Sequence, residues 1–215
     1  SGVQGLVADY GLGQVEPNTI LLGTSSRSEW ATDYATLLKS IYAARKNALI
    51  VHPGEATEVT EAPTGDDPTL LSKGNRIDIW LKGQDDNANL NLALAYMVQT
   101  SPEWQGVPLL IRTFVSNEEE RQGRMEAYEA FLADSRIEAE LEIYINEPSI
   151  PLSKQIRTLS QDASLVFLGV RPPQEGEQSE EYAAYLREFF ANVEGFPLTV
   201  LTLAGQNISF EDIFN

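Results

Sequence analysis

The chain has no cysteine and a single histidine among 215 residues. The missing thiols exclude disulfides, cysteine-ligated zinc and thiol nucleophiles. Long apolar runs are missing too. The stretch Leu165 to Val170 falls far short of the ~20 residues that cross a bilayer. The first residues offer neither a basic region nor an apolar core, so no secretory signal peptide is expected. Basic residues are scarce: 15 Lys and Arg stand against 32 Asp and Glu, for a formal net charge of −17. Residues 1–107 hold 13 acids and 7 bases, and residues 108–215 hold 19 and 8, so the deficit grows along the chain. A field this negative repels nucleic acid and anionic lipid, and neither is an expected partner.

The rest of the composition is that of a globular protein. Hydrophobic residues at 42% and charged residues at 22% exclude disordered and low-complexity classes. A chain of this length can bury roughly 70% of its unfolded surface without staples.

Apolar β-type runs alternate with helical periodicity. Strands are predicted at 19–22, 48–51, 77–81, 109–115, 141–145, 165–168 and 198–203. Ser26 with Glu29 and Ser116 with Glu119 have capping-box spacing, and Ser149 with Pro151 reads as another helix start. Residues 54–75 lack sustained periodicity, with a possible short strand at 58–61. The acidic linker 171–178 is punctuated by proline and glycine. Residues 54–75 and 171–179 are expected to be the least protected. Seven strands interleaved with helices, most of them continuous apolar runs, predict an α/β fold. Its sheet should be doubly wound, mostly parallel and covered on both faces. The pattern of residues 20–51 echoes that of 166–201, which suggests two similar halves. The expected division is an N-terminal α/β subdomain, 1–103, packed closely on a C-terminal one, 104–215.

Candidate chemistry is sparse. Gly11-Leu12-Gly13 precedes the first strand rather than following it and lacks the third glycine of a dinucleotide fingerprint. Thr24-Ser25-Ser26 could place hydroxyls at a helix start, as a phosphate cradle or simply as a cap. His52 lies just past a strand end, but a histidine base needs a nucleophile or carboxylate partner. Asp85-Asp86 could hold magnesium, or could complement a helix N-terminus. The triplet Glu118-Glu119-Glu120 is first-turn acid placement, since neighbouring helix positions do not face one another. No catalytic, cofactor or metal residues are assigned, and no enzyme activity is expected.

Three stretches together resemble a known family. Residues 11–23, Gly-Leu-Gly-Gln-Val-Glu-Pro-Asn-Thr-Ile-Leu-Leu-Gly, are similar to the start of the cytoplasmic C-terminal domain of cation–chloride cotransporters. A second block comprises Arg76-Ile77-Asp78-Ile79-Trp80-Leu81, Asp85-Asp86, Leu90 to Tyr96, Trp104 and Leu109 to Phe114. It resembles the family's Ile-Asp-(apolar)-Trp strand, acidic turn, leucine-rich helix and Leu-Arg-Ile-Phe strand. The tail, Pro197 to Leu201 and Ser209-Phe210-Glu211-Asp212, looks like the family's closing segment. Departures fall after Trp80: Lys82-Gly83-Gln84 intervenes, and Asn87-Ala88-Asn89 replaces the usual glycines. The charged inserts and phosphosites of animal relatives have no counterpart, which suggests a compact microbial member.

The resemblance implies a universal-stress-protein-like fold and a regulatory, dimerising, non-catalytic domain without a cofactor. Such a domain sits on the cytoplasmic face of a membrane transporter that carries chloride with potassium, sodium or both. Its partners would be a second copy and the transmembrane domain of the same polypeptide. The alternative is a nucleotide-sensing module of the stress-protein type. For self-association, aromatics in the last helix and apolar residues in the tail mark the expected interface: Tyr182, Tyr185, Phe189, Phe210, Ile213 and Phe214.

Overall fold

The computed structural model describes residues 17–24, 31–54, 76–83, 85–134 and 137–205. The Ser26–Glu29 cap, the short strand at 58–61 and the tail residues Phe210, Ile213 and Phe214 lie outside them. The elements follow in the order β1 (Thr19–Gly23), α1 (Ala31–Ala43), β2 (Asn47–His52), β3 (Ile77–Trp80), α2 (Asp86–Gln99), β4 (Leu109–Val115) and α3 (Glu118–Asp134). The chain continues with β5 (Ala139–Ile145), α4 (Leu152–Ser160), β6 (Leu165–Gly169), α5 (Ser179–Val193) and β7 (Thr199–Leu203).

All seven strands join one sheet in the order β1-β2-β7-β6-β3-β4-β5. Neighbours are parallel except β2 and β7, which pair antiparallel, with Ala48 opposite Leu203 and His52 opposite Thr199. The sheet therefore consists of a parallel pair and a parallel block of five, joined along one antiparallel seam. Within the block, the chain runs outward from β3 to β5, then returns to β6 and β7. That return creates a switch point between β3 and β6.

Side-chain alternation along the strands builds two core layers. On one face Ile50, Trp80, Val166, Leu168, Leu201 and Leu203 meet α1 and α5, with Ile156 and Leu159 of α4 packed against them. On the other, Ile77, Ile79, Ile111, Leu165 and Phe167 meet Ala88, Leu92 and Ala95 of α2 and Tyr128 of α3. Both faces of the central strands are buried, which is why they read as unbroken apolar runs.

Two helix starts differ from the expected caps. At α3 the cap is Asn117, whose Oδ1 accepts from the Glu120 amide at 2.9 Å, while Glu120 accepts from the Ser116 amide at 2.8 Å. The acidic partner thus falls one residue later than Glu119, because Asn117 is itself a strong cap. At α4, Ser149 donates to Glu147 at 2.9 Å, and Pro151 precedes the helix without a side-chain cap. Within the linker 171–178, Arg171 and Glu177 are held by contacts described below.

One charge pair lies deep in this apolar frame. Asp78 of β3 is fully buried and Arg112 of β4 is 4% exposed. The Asp78 carboxylate accepts from Arg112 Nη1 at 2.8 Å and from Arg76 Nε at 2.9 Å. Arg112 also donates to Glu142 of β5 at 3.0 Å and to the Leu159 carbonyl at 2.5 Å, while Arg76 reaches the same carbonyl at 2.9 Å. Leu159 lies in the last turn of α4, where carbonyls lack helical partners and the dipole favours cations. Trp80 finishes the layer: its indole N–H donates to Ser160 Oγ at 2.9 Å, and its ring stacks on Phe114 at 5.0 Å. Three strands and a helix end are thereby bound into one polar cluster. Among the described residues no buried side-chain polar atom lacks a partner.

Removing one partner of a buried pair strands the other charge in a poorly solvating medium. Arg112→Met should destabilise the fold by about 3–5 kcal/mol. Pairing it with Asp78→Leu should recover much of that loss, because no charge then remains unpaired. Urea denaturation of both variants checks this; a double variant no more stable than the single would contradict it.

Candidate functional site: the strand-end crevice and the aromatic helix

Doubly wound sheets place ligands outside the carboxyl ends of strands at a switch point. Here that place lies beyond β3 and β6, at the start of α2. The α2 N-terminus is capped by Asp85, whose carboxylate accepts from the Ala88 amide at 2.8 Å. Asp86 follows in the first turn. Two carboxylates therefore already occupy the end of the helix dipole that would attract a phosphate. This accounts for the Asp85-Asp86 pair as a helix start.

Asn87, in the first turn of α2, stands over the ends of β6 and β7. Its Nδ2 donates to the Val170 carbonyl at 2.8 Å, and its Oδ1 accepts from the Ala204 amide at 2.8 Å. It thus bridges the chain beyond β6 to the chain beyond β7. A Cβ at Gly169 would stand 3.1 Å from the Asn87 Cβ, tighter than ordinary contact. Glycine at the end of β6 makes room for a side chain of this protein. Asn91, one turn later, accepts from Thr202 at 2.6 Å and is itself buried. Sequence reading noted Asn87 only as a departure from glycine. An amide after two acids at the start of an apolar helix was the available signal.

The other candidates fall apart from the crevice. Thr24 is the described part of the Thr24-Ser25-Ser26 turn. Its amide donates to the Val51 carbonyl at 3.0 Å, and its hydroxyl lies 3.4 Å from His52 Nδ1. The two elements that flank the β1–β2 ladder thus meet at its carboxyl end. Burial lowers the His52 pKa from its ordinary 6.5, opposed by the charge of Glu194. Glu118 and Glu120 pair with Arg121 and Arg124 on the surface of α3. The Ser116 amide, ahead of Arg124, holds the Glu120 carboxyl below its usual range. Among the described residues no three His, Asp or Glu side chains converge as a metal site would require.

The aromatics of α5 are brought together, and they face inward. Tyr182 is fully buried and donates to the Arg171 carbonyl at 2.9 Å. It stacks on Tyr185 at 5.7 Å, Tyr185 lies 5.7 Å from Phe189, and Phe190 meets Tyr34 of α1 edge-on at 5.8 Å. The Arg171 guanidinium sits 4.4 Å from the Tyr185 ring and binds Glu177 through both oxygens, at 2.7 and 3.1 Å. That guanidinium holds the Glu177 carboxyl below its usual range. Lys39 of α1 donates to the Glu177 carbonyl. The linker 171–178 is therefore latched to α1 and α5. Sequence reading missed Arg171 and Glu177 as partners, because five residues of loop separate them. Tyr182 belongs to the core; Tyr185 and Phe189 stay half-buried and keep an outer edge. The other expected interface residues, Phe210, Ile213 and Phe214, lie outside the described residues.

No family model matches the chain, and no curated protein matches it. Solved structures do. The chain is similar to the crystal structure of the cytoplasmic domain of a prokaryotic cation chloride cotransporter, with a TM-score of 0.58 and 15% identity. That match covers 96% of this chain and 70% of the other. It is also similar to a universal stress protein from Archaeoglobus fulgidus DSM 4304, at a TM-score of 0.46 and 13% identity over 86% of this chain and 60% of that one. The first likeness is one of fold, and it falls on the kind of domain that the sequence motifs resemble. The α/β, doubly wound, mostly parallel architecture is as the sequence predicts. Among the described residues no helix is long and apolar enough to cross a membrane.

The lone histidine gives a direct check on this geometry. Burial disfavours the imidazolium, so the unfolded chain takes up the proton first as pH falls. His52 should therefore titrate below 6.5 by proton NMR, where one histidine leaves no ambiguity. Stability should decline as pH drops through about 6.5, and His52→Gln should remove that decline. A midpoint above 6.5 would contradict the assigned surroundings.

Proposed function

We propose that this chain is the cytoplasmic regulatory domain of a cation–chloride cotransporter. In this reading it performs no chemistry, associates with a second copy, and works at the cytoplasmic face of the membrane on a transmembrane partner in the same polypeptide. Chloride would move there with potassium, sodium or both. One observation carries the reading: the residues behind the family resemblance, Asp78, Trp80 and Arg112, meet in a single buried cluster. The resemblance therefore falls on the part of the sequence that holds the fold together, and a fold likeness covering 96% of the chain supports it independently. Ordered elements with little open chemistry suit a domain that transmits contacts.

The competing reading is a nucleotide-sensing module. The two carboxylates at the α2 start, Asp85 and Asp86, argue against it. Thermal unfolding with and without ATP separates the two. A ligand at about 100 times its Kd adds about 2.7 kcal/mol to stability. The regulatory-domain reading predicts no shift with millimolar ATP; a saturable rise would favour nucleotide sensing.

Association is testable on its own. Two copies carrying −17 each repel one another, so a dimer needs an apolar contact and salt screening. We assign the half-buried edges of Tyr185 and Phe189 to that contact. Sedimentation should show a dimer that strengthens as salt rises and weakens in Tyr185→Asp/Phe189→Asp. A wild type that stays monomeric at high protein concentration and high salt would defeat the claim.

A further inference from the structure

The chain that leaves β6 meets both helix layers within two residues. Val170 is fully buried. Its amide donates to the Thr202 carbonyl of β7 at 2.7 Å, and its carbonyl accepts from Asn87 Nδ2 of α2 at 2.8 Å. The Arg171 amide donates to the Tyr185 hydroxyl of α5 at 2.9 Å, and the Arg171 carbonyl accepts from the Tyr182 hydroxyl at 2.9 Å. Successive backbone groups are thus met by three different elements. α2 belongs to the core layer on one face of the sheet, with Ile79 and Phe167. α5 belongs to the layer on the other face, with Leu168 and Leu201.

The Val170 carbonyl and the Arg171 N–H are parts of one peptide group. That group is planar and trans, so the two point in opposite directions from a rigid unit. A single rigid plate is therefore held by α2 on one side and by α5 on the other. Turning it away from Tyr185 also turns its carbonyl away from Asn87. Pro172 narrows the choices further, because the residue before a proline is confined to extended backbone. Asn87 carries the link one step on, since its Oδ1 accepts from the Ala204 amide at 2.8 Å.

Beyond Arg171 little apolar surface holds the chain. Pro172, Gln174, Glu175 and Gly176 are exposed, and Gly176 turns with a φ of 77°. Charge closes this loop. The Arg171 guanidinium binds both oxygens of Glu177, the Gln174 amide donates to the same carboxylate at 2.9 Å, and Lys39 of α1 donates to the Glu177 carbonyl. The guanidinium also lies over the ring of Tyr185, the residue whose hydroxyl holds the Arg171 amide. The ion pair and the rigid plate thus share Arg171 and Tyr185. Segments with few buried apolar contacts are the first to open.

We propose that residues 170–178 form a two-position strap that couples the helix layers across the end of the sheet. In the closed position described above, the Arg171–Glu177 pair keeps the plate between α2 and α5. In the open position the pair is broken, and the plate loses Tyr185 and Asn87 together. Coupling between distant elements needs such a unit, one with two discrete arrangements that both sides bias. A contact made on the outer edge of Tyr185 is thereby passed to the start of α2 on the opposite face. This stands apart from the transporter reading and does not depend on it.

Amide hydrogen exchange on the full chain, read by NMR, tests the strap. Glu177→Gln keeps the size of the side chain and removes its charge. It should speed exchange at Gln174 and Arg171 by roughly tenfold, the effect of weakening one charge-assisted hydrogen bond. The Ala204 amide, which touches neither Glu177 nor Arg171 and is held by Asn87, should speed up by the same factor. Amides of β4, two strands away from β6, should keep their wild-type rates. In the reverse direction, Asn87→Ala should speed exchange at Gln174, which Asn87 does not touch. Lys39→Met opens the strap from α1 and should reproduce the Glu177→Gln pattern. Circular dichroism confirms that each variant is folded before it is scored. Faster exchange confined to Gln174 and Arg171, with Ala204 unchanged, would overturn the coupling. So would an equal rise that includes β4, since the whole fold would then be opening, and so would no change at any of these amides.

Discussion

The Asp78–Arg112 pair is the constraint on which the rest of this structure turns. A carboxylate and a guanidinium in adjacent central strands can be buried only if their remaining hydrogen-bonding groups are met. Arg76, Glu142 and the Leu159 carbonyl meet them, and each comes from a different element. The requirement fixes β3 beside β4, sets β5 next to it, and brings the end of α4 down onto the sheet. Trp80 then has Ser160 and Phe114 to pack against. A charge pair of this kind adds little net stability compared with apolar residues of the same size. What it supplies here is register, because a slip of one residue would leave two charges without partners.

Two side-chain latches organise the rest of the described structure. Asn87 ties the chain beyond β6 to the chain beyond β7, and Arg171 holds the α5 approach between Tyr185 and Glu177. Both use ligand-like chemistry, an amide bridging two backbone groups and a guanidinium over a ring. Both are satisfied by the chain itself.

Much of the fold was legible in local pattern. Seven apolar runs gave seven strands, and Leu109–Val115 matched to the residue because it is bounded by proline before and a polar cap after. The antiparallel seam between β2 and β7 was not legible, since pairing direction depends on a contact some 150 residues apart in sequence and leaves no local trace. The Asp78–Arg112 pair could have been found. Single opposite charges in two otherwise apolar strands, Ile-Asp-Ile-Trp and Leu-Leu-Ile-Arg-Thr-Phe, have few options except each other. Tyr182 misled for a related reason: its place in an aromatic cluster is visible in sequence, but its hydroxyl partner, the Arg171 carbonyl, is not. Asn117 displaced the expected cap at Ser116 because both are good caps and the spacing rule cannot rank them.

The proposal is that this domain works as part of a membrane transporter. An antibody raised against the domain, used on fractionated cells of the source species, tests it most directly. The account predicts a polypeptide much longer than 215 residues that stays in the membrane fraction after an alkaline wash strips peripheral proteins. A product of about this length found only in the soluble fraction would contradict it.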